Sequence, residues 1–146
     1  MINIALLGCG RIGQVHARSL MVLTGAQVAA VAAAMPEAAD ALATRTGSRV
    51  MEVEDILAAS DIDAVVIGTP TTTHYDLIHG AARAGKAIFC EKPIDLNAAR
   101  IRDCLAVVEQ HAVPFFIAFN RRFDPNFRTL KSQIDAGRIG GVEMVT

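Results

Sequence analysis

The chain has 146 residues, 52% of them hydrophobic and 20% charged, enough for one domain with a buried core. That apolar content excludes intrinsic disorder as the main state. Lys and Arg number 14 against 15 Asp and Glu, aromatics make up 5% and Trp is absent, which argues against a nucleic-acid surface built on basic patches or stacking platforms.

In chain order, short apolar runs alternate with helical patterns. Ile2–Leu7 reads as a strand and Ile12–Leu23 as a helix. A strand over Gln27–Ala33 precedes a helix over Glu37–Thr46, opened by Pro36 and closed by Gly47. A helix over Glu54–Ala59 and a strand over Ala64–Ile67 come next. His74–Ala84 is helical and stopped by Gly85, and Ala87–Cys90 is a strand. The helix Asn97–His111, the strand Phe115–Ala118 and the helix Asn126–Ala136 complete the alternation. Near-continuous apolar strands separated by helices predict an α/β doubly wound parallel sheet of about six strands, covered on both faces. There are no internal repeats. Gly137–Gly141 reads as a turn and Val142–Thr146 as the start of a further strand, so residues 1–140 are expected to form one domain and 141–146 to begin another.

Two membrane signals fail on inspection. Ser19–Pro36 carries no charge, but Thr24, Gly25 and Gln27 interrupt it as at a helix-turn-strand junction. Leu6-Leu7-Gly8-Cys9 looks like a lipoprotein cleavage site without the positive segment that should precede it. No membrane partner is expected. Cys9, Cys90 and Cys104 cannot all pair with one another and none has CxxC spacing, so they read as reduced thiols of a cytoplasmic protein, two of them in buried strand positions.

Gly8-Cys9-Gly10-Arg11-Ile12-Gly13 follows the first strand and opens the first helix. Gly8 permits the tight turn, Gly10 lets the backbone approach a pyrophosphate, and Gly13 lets helix and strand pack closely. The helix N-terminus then offers N–H groups and a positive dipole end. Such a fingerprint usually ends about twenty residues on with an acid that binds the adenosine ribose. Here that position is Ala33, and no acidic residue occurs from Gln14 to Pro36. No basic residue takes its place either, although Arg11 could meet a 2′-phosphate from the glycine loop or stand solvated at the helix start.

Ligands in open α/β sheets bind beyond the carboxyl ends of the strands. Thr69-Pro70-Thr71-Thr72-Thr73-His74 lies at one such end. Thr69 and Thr71 are cofactor candidates, Thr73 fits a helix cap, and His74 fits either a ligand or a helix start. Glu91-Lys92-Pro93 lies at the next. Lys92 is placed to hold and polarise a hydroxyl, or else pairs with Glu91 as a surface ion pair. Asn120, Arg121 and Arg122 follow the last strand, where they could bind an anion or amide, or pair with Asp124. His79 and His111 read as solvated helix residues. No HExxH, GxSxG or Cys/His cluster occurs, so no metal site is expected.

Together GCGRIGQVHA, TPTTTH, GKAIFCEKPIDL, FNRRFDP and GRIGGVEMVT resemble the Gfo/Idh/MocA oxidoreductase family, and within it the members that oxidise inositols. The resemblance implies an NAD(P)-binding Rossmann domain followed by a larger α/β domain with an open antiparallel sheet. It implies hydride transfer from a ring hydroxyl of a cyclic polyol to NAD, with NADP left open by Ala33. Lys92 would be the catalytic lysine. Gly8, Gly10, Arg11, Ile12 and Gly13 would lie at the pyrophosphate, with Thr69, Pro70, Thr71 and His74 along the nicotinamide half. Glu91 would position the nicotinamide ribose, and Asn120 and Arg122 would stand near the nicotinamide-proximal cleft. The Lys92–Pro93 bond is often cis in such proteins. The family's ribose-binding Asp falls on Ala33, and its proton-accepting Asp and His belong to the second domain. The 146 residues alone are therefore expected to bind a dinucleotide without turnover. A non-enzymatic binding or assembly module is the alternative, and apolar side chains near Val142–Val145 lead to an expected homo-oligomer.

Overall fold

The structure, a computed structural model, describes residues 1–144. Its elements run β1 (Ile2–Leu7), α1 (Arg11–Met21), β2 (Ala26–Ala32), α2 (Pro36–Thr46), β3 (Arg49–Val50), α3 (Val53–Ala58), β4 (Ala64–Ile67), α4 (Thr71–Arg83), β5 (Ala87–Cys90), α5 (Ala98–Gln110), β6 (Phe115–Ile117), a 3-10 turn (Asn120–Arg122) and α6 (Pro125–Asp135). The strands form one parallel sheet in the order β3-β2-β1-β4-β5-β6. The order reverses between β1 and β4, and a crevice opens at such a switch point beyond the carboxyl ends.

Strand alternation builds a core on each face. Ala5 and Leu7 of β1, Val65 and Ile67 of β4, and Ile88 and Cys90 of β5 point to one side, where Ile56 of α3, Ile78 and Ala81 of α4, and Cys104 and Val107 of α5 cover them. Leu6, Val31 and Val66 point to the other side, against Ala17 and Leu20 of α1 and Ala39 and Leu42 of α2. Helix ends follow local chemistry. Pro36 starts α2 and Gly47 ends it in the left-handed region. Asn97 accepts from Ala99 N–H (2.8 Å) to cap α5, and Asp124 accepts from Asn126 N–H (2.9 Å) to cap α6.

Several expectations need correction. The sheet's sixth strand, β3, is a two-residue piece beyond β2 that no apolar run announces. α4 begins at Thr71 rather than His74, so Thr73 lies inside the helix and does not cap it. The uncharged stretch Ser19–Pro36 divides into the end of α1, a turn and β2, and no helix among the described residues is long and apolar enough to cross a membrane. Val142–Met144 are not in a strand, while Val145 and Thr146 of that expected element lie outside the described residues. His79 is not solvated: its side chain is 12% exposed and lies 3.4 Å from Asp103.

All three cysteines are free and buried, but only Cys90 stands in a strand; Cys9 is in the glycine loop and Cys104 in α5. Burial, then the neighbouring Cys104 and Glu91, pushes the Cys90 thiol up to about 12. Burial first, with Asp103 adding to it, takes Cys104 to about 11. The reactive thiolate is therefore scarce at neutral pH. A disulfide exchange reagent is expected to label the native chain only at its rate of opening, and all three thiols at once after urea unfolding.

Lys86, just before β5, is 4% exposed. Its Nζ donates to the carbonyls of Ala59 (2.7 Å) and Ile62 (2.9 Å), tying the loop before β4 to the start of β5. Burial lowers its pKa, against the opposing pull of Asp61 and Asp63. Lys86→Met is expected to cost about 1.5–3 kcal/mol, because two charge-assisted bonds vanish and two carbonyls lose their donor. A lower urea midpoint at unchanged slope checks it. Since the folded pKa lies below the unfolded one, the unfolded chain holds the proton more firmly. Lys86 therefore makes stability rise with pH through the interval between the two values.

Candidate functional site

Three backbone turns crowd together at the carboxyl end of β1. Gly8 has φ +101° and donates to the carbonyl of Ala32 (2.8 Å). A Cβ there would stand 2.7 Å from the carbonyl oxygen of Gly68, and one on Gly13 would stand 1.9 Å from that of Gly8. Gly68 in turn donates to Leu7 (2.8 Å) and faces the side chain of Ile12. The glycines thus let β1, β4 and the start of α1 approach to backbone contact. Gly10 differs: it has φ −71° and open space beside it. It opens α1 with no side-chain cap and no acid in the first turn, which leaves the helix's first N–H groups available to an anion. Arg11 is exposed at that rim. Gln14 donates to the Cys9 carbonyl (3.1 Å) and steadies the loop.

A dinucleotide pyrophosphate fits this cradle, which is open where it must be open and closed where chains must pack. The adenosine end fits less well. Ala33 immediately follows β2, half-buried, and presents only a methyl group where a ribose acceptor would stand.

At the end of β4, the Thr69 and Thr73 hydroxyls lie 2.7 Å apart, and Thr73 donates to the Pro70 carbonyl (2.8 Å). Thr71 starts α4 beside a shallow cleft that it shares with Asp95, Leu96 and Arg100. His74 is 1% exposed, so its side chain is enclosed rather than at the cleft. Its Nδ1 lies 2.9 Å from the Pro93 carbonyl and its Nε2 3.0 Å from that of Thr69. The imidazole therefore straps the Thr69 loop to the segment after Lys92.

The Lys92–Pro93 peptide bond is cis. Glu91 does not pair with its neighbour. Its Oε1 accepts from His16 Nε2 at 2.8 Å, and the two side chains are 15% and 18% exposed. Lys92 is exposed, and no ion pair among the described residues involves it. Asn120 and Arg122 stand exposed in the 3-10 turn after β6, while Arg121 takes the ion pair with Asp124 (3.5 Å). Among the described residues no group of three His, Cys, Asp or Glu could hold a metal ion.

Sequence reasoning passed over His16. It lies within the glycine-loop motif, three positions after Gly13 and so one helical turn on, but spacing gives no sign of a partner 75 residues away.

The family model that matches residues 2–119 is GFO_IDH_MocA, described as an oxidoreductase family with an NAD-binding Rossmann fold. The chain is 56% identical over 145 residues to inositol 2-dehydrogenase of Rhizobium meliloti (strain 1021), covering 99% of this chain and 44% of that protein. It superposes with TM-score 0.89 and 35% identity on scyllo-inositol dehydrogenase from Lactobacillus casei, solved with NAD(H) and scyllo-inositol bound; 96% of this chain and 42% of that one are covered. KijD10, a 3-ketoreductase from Actinomadura kijaniata solved with NADP and TDP-benzene, gives TM-score 0.87 at 27% identity over 95% of this chain and 43% of its own. The chain therefore spans less than half the length of each of these relatives.

Proposed function

The chain belongs to the Gfo/Idh/MocA oxidoreductase family, and from that premise we propose that it is the cofactor-binding part of an NAD-dependent dehydrogenase acting on a ring hydroxyl of an inositol or related polyol. A bound nicotinamide supplies the hydride acceptor. The glycine loop and the start of α1 hold the pyrophosphate through Gly8, Gly10, Arg11, Ile12 and Gly13. Thr69, Pro70 and Thr71 line the nicotinamide half, Glu91 accepts from the nicotinamide ribose, and Asn120 and Arg122 face the same end. The Lys92 ammonium donates to the substrate hydroxyl, orienting and polarising it.

The observation that carries this reading is the state of Lys92. The surface-pair alternative needs Glu91 as its partner, and Glu91 is engaged by His16 instead. An unpaired ammonium at the carboxyl end of β5, near the sheet's switch point, is available to a ligand. The reading takes residues 1–140 as the dinucleotide-binding domain and 141–146 as leading into a substrate domain that supplies the proton acceptor. These 146 residues by themselves then bind a dinucleotide without turnover. A cytoplasmic location accords with the three free thiols. The exposed Phe116, Phe119, Phe123 and Phe127 favour a homo-oligomer, to be read as a mass above that of the monomer in light scattering.

NAD is the proposed cofactor, with NADP its competitor because Ala33 offers no carboxylate. Calorimetric titration with each is the test, alongside absorbance of reduced nicotinamide in the presence of myo- or scyllo-inositol. Saturable NAD binding without turnover is the expected result. Turnover by the 146 residues would overturn the inactive part. Ala33 favours a second reading, a Rossmann module that serves binding or assembly without a nucleotide, and absence of any dinucleotide binding would select it.

A further inference from the structure

We propose that His16 is a positioning residue, whose imidazole holds the Glu91 carboxylate where that carboxylate meets the nicotinamide-side ribose. The inference rests on the dinucleotide reading above and adds a residue to it. His16 rides on α1, the helix whose N-terminus carries the glycine loop, while Glu91 directly follows β5. β4 lies between β1 and β5 in the sheet, so the contact crosses from the pyrophosphate side of the switch point to the Lys92 side.

Its geometry is that of a held group rather than a mobile surface pair. The Nε2–Oε1 distance is 2.8 Å, and both side chains are more than four-fifths covered. The His16 ring meets Phe89 edge-on, with centroids 5.2 Å apart, and Phe89 stacks in turn on Phe116 at 5.3 Å. The imidazole is therefore confined by β5 itself. Glu91 is fixed from behind as well, because its backbone N–H donates to the Ile67 carbonyl at 3.0 Å. With Oε1 engaged, Oε2 has no partner among the described side chains and is not an enclosed orphan. It is the oxygen left to accept from a ribose hydroxyl. The same contact draws Glu91 away from Lys92, so one histidine orients an acceptor and keeps the neighbouring ammonium unpaired.

The test compares NAD with ADP, which carries the adenosine and pyrophosphate but no nicotinamide riboside. By calorimetry, His16→Leu is expected to weaken NAD about 10-fold, the worth of one charge-assisted hydrogen bond, with ADP within about 2-fold of the original chain. His16→Gln, whose amide can still donate to Glu91, should recover most of the NAD affinity. Glu91→Gln made on top of His16→Leu should cost little more, since both act through one contact. Equal weakening of NAD and ADP would mean a packing role and overturn the proposal, as would unchanged NAD binding in His16→Leu. If His16→Leu does not fold, unchanged NAD affinity in Glu91→Gln alone overturns it equally. If the original chain binds neither ligand, the dinucleotide reading falls and takes this inference with it; if it binds both with equal affinity, only the inference falls.

Discussion

Ala33→Asp is expected to tighten NAD binding by about 10-fold or more and to weaken NADP. Position 33 directly follows Ala32, whose carbonyl accepts the Gly8 N–H at 2.8 Å. A carboxylate there would stand beside the first glycine of the cradle, where the proposed dinucleotide would present its two adenosine-ribose hydroxyls. Charge-assisted hydrogen bonds of this kind are worth about 1.5–3 kcal/mol, or roughly 10- to 100-fold in affinity. The same charge repels a 2′-phosphate, so the preference between the two cofactors shifts by more than either affinity alone. Parallel calorimetric titrations of both chains with both dinucleotides measure it. An unchanged NAD affinity in Ala33→Asp would show that the adenosine does not lie along β2.

The second expectation separates the glycines. A methyl group on Gly13 would lie 1.9 Å from the Gly8 carbonyl oxygen, a contact that no side-chain movement relieves. Gly13→Ala is expected to lose about 3 kcal/mol or more, at the upper end of overpacking costs, and to lose ligand binding with the fold. Gly10 has space around it and an ordinary φ of −71°. Gly10→Ala should keep its stability or gain up to about 1 kcal/mol from a less free unfolded chain. Its methyl still stands in the approach to the helix N-terminus, and NAD affinity should fall about 10-fold or more. Thermal unfolding and calorimetry on the pair distinguish a structural turn from a ligand cradle: a Gly10→Ala chain that binds NAD normally would leave the loop with a structural role only.

Much of this architecture was legible from the residues. β1, β4 and β5 are bounded apolar runs, and their observed limits are those the patterning predicts. β3 was not legible, because Arg49 and Val50 are both exposed and are a strand only through pairing with Ala30 and Val31. The start of α4 was missed because Pro70, rather than a side-chain cap, precedes its run of threonines. Within the site, the glycine spacing announced the cradle and the missing acid announced Ala33. The partners of His74 and His16 were hidden for a different reason. His74 joins the loops that follow β4 and β5, His16 joins α1 to the residue after β5, and only the folded sheet brings these together.

The sheet's two outer strands are also its shortest, two residues in β3 and three in β6. A strand of another chain arriving at either border finds almost no free run of N–H and C=O groups to copy, and at β3 it meets Arg49 as well. Extension of the sheet from molecule to molecule is thereby cut off at both ends. The proposed self-association would then run through exposed side chains such as Phe116 and Phe123, whose contacts can be specific and finite, rather than through a backbone ladder that could lengthen without limit.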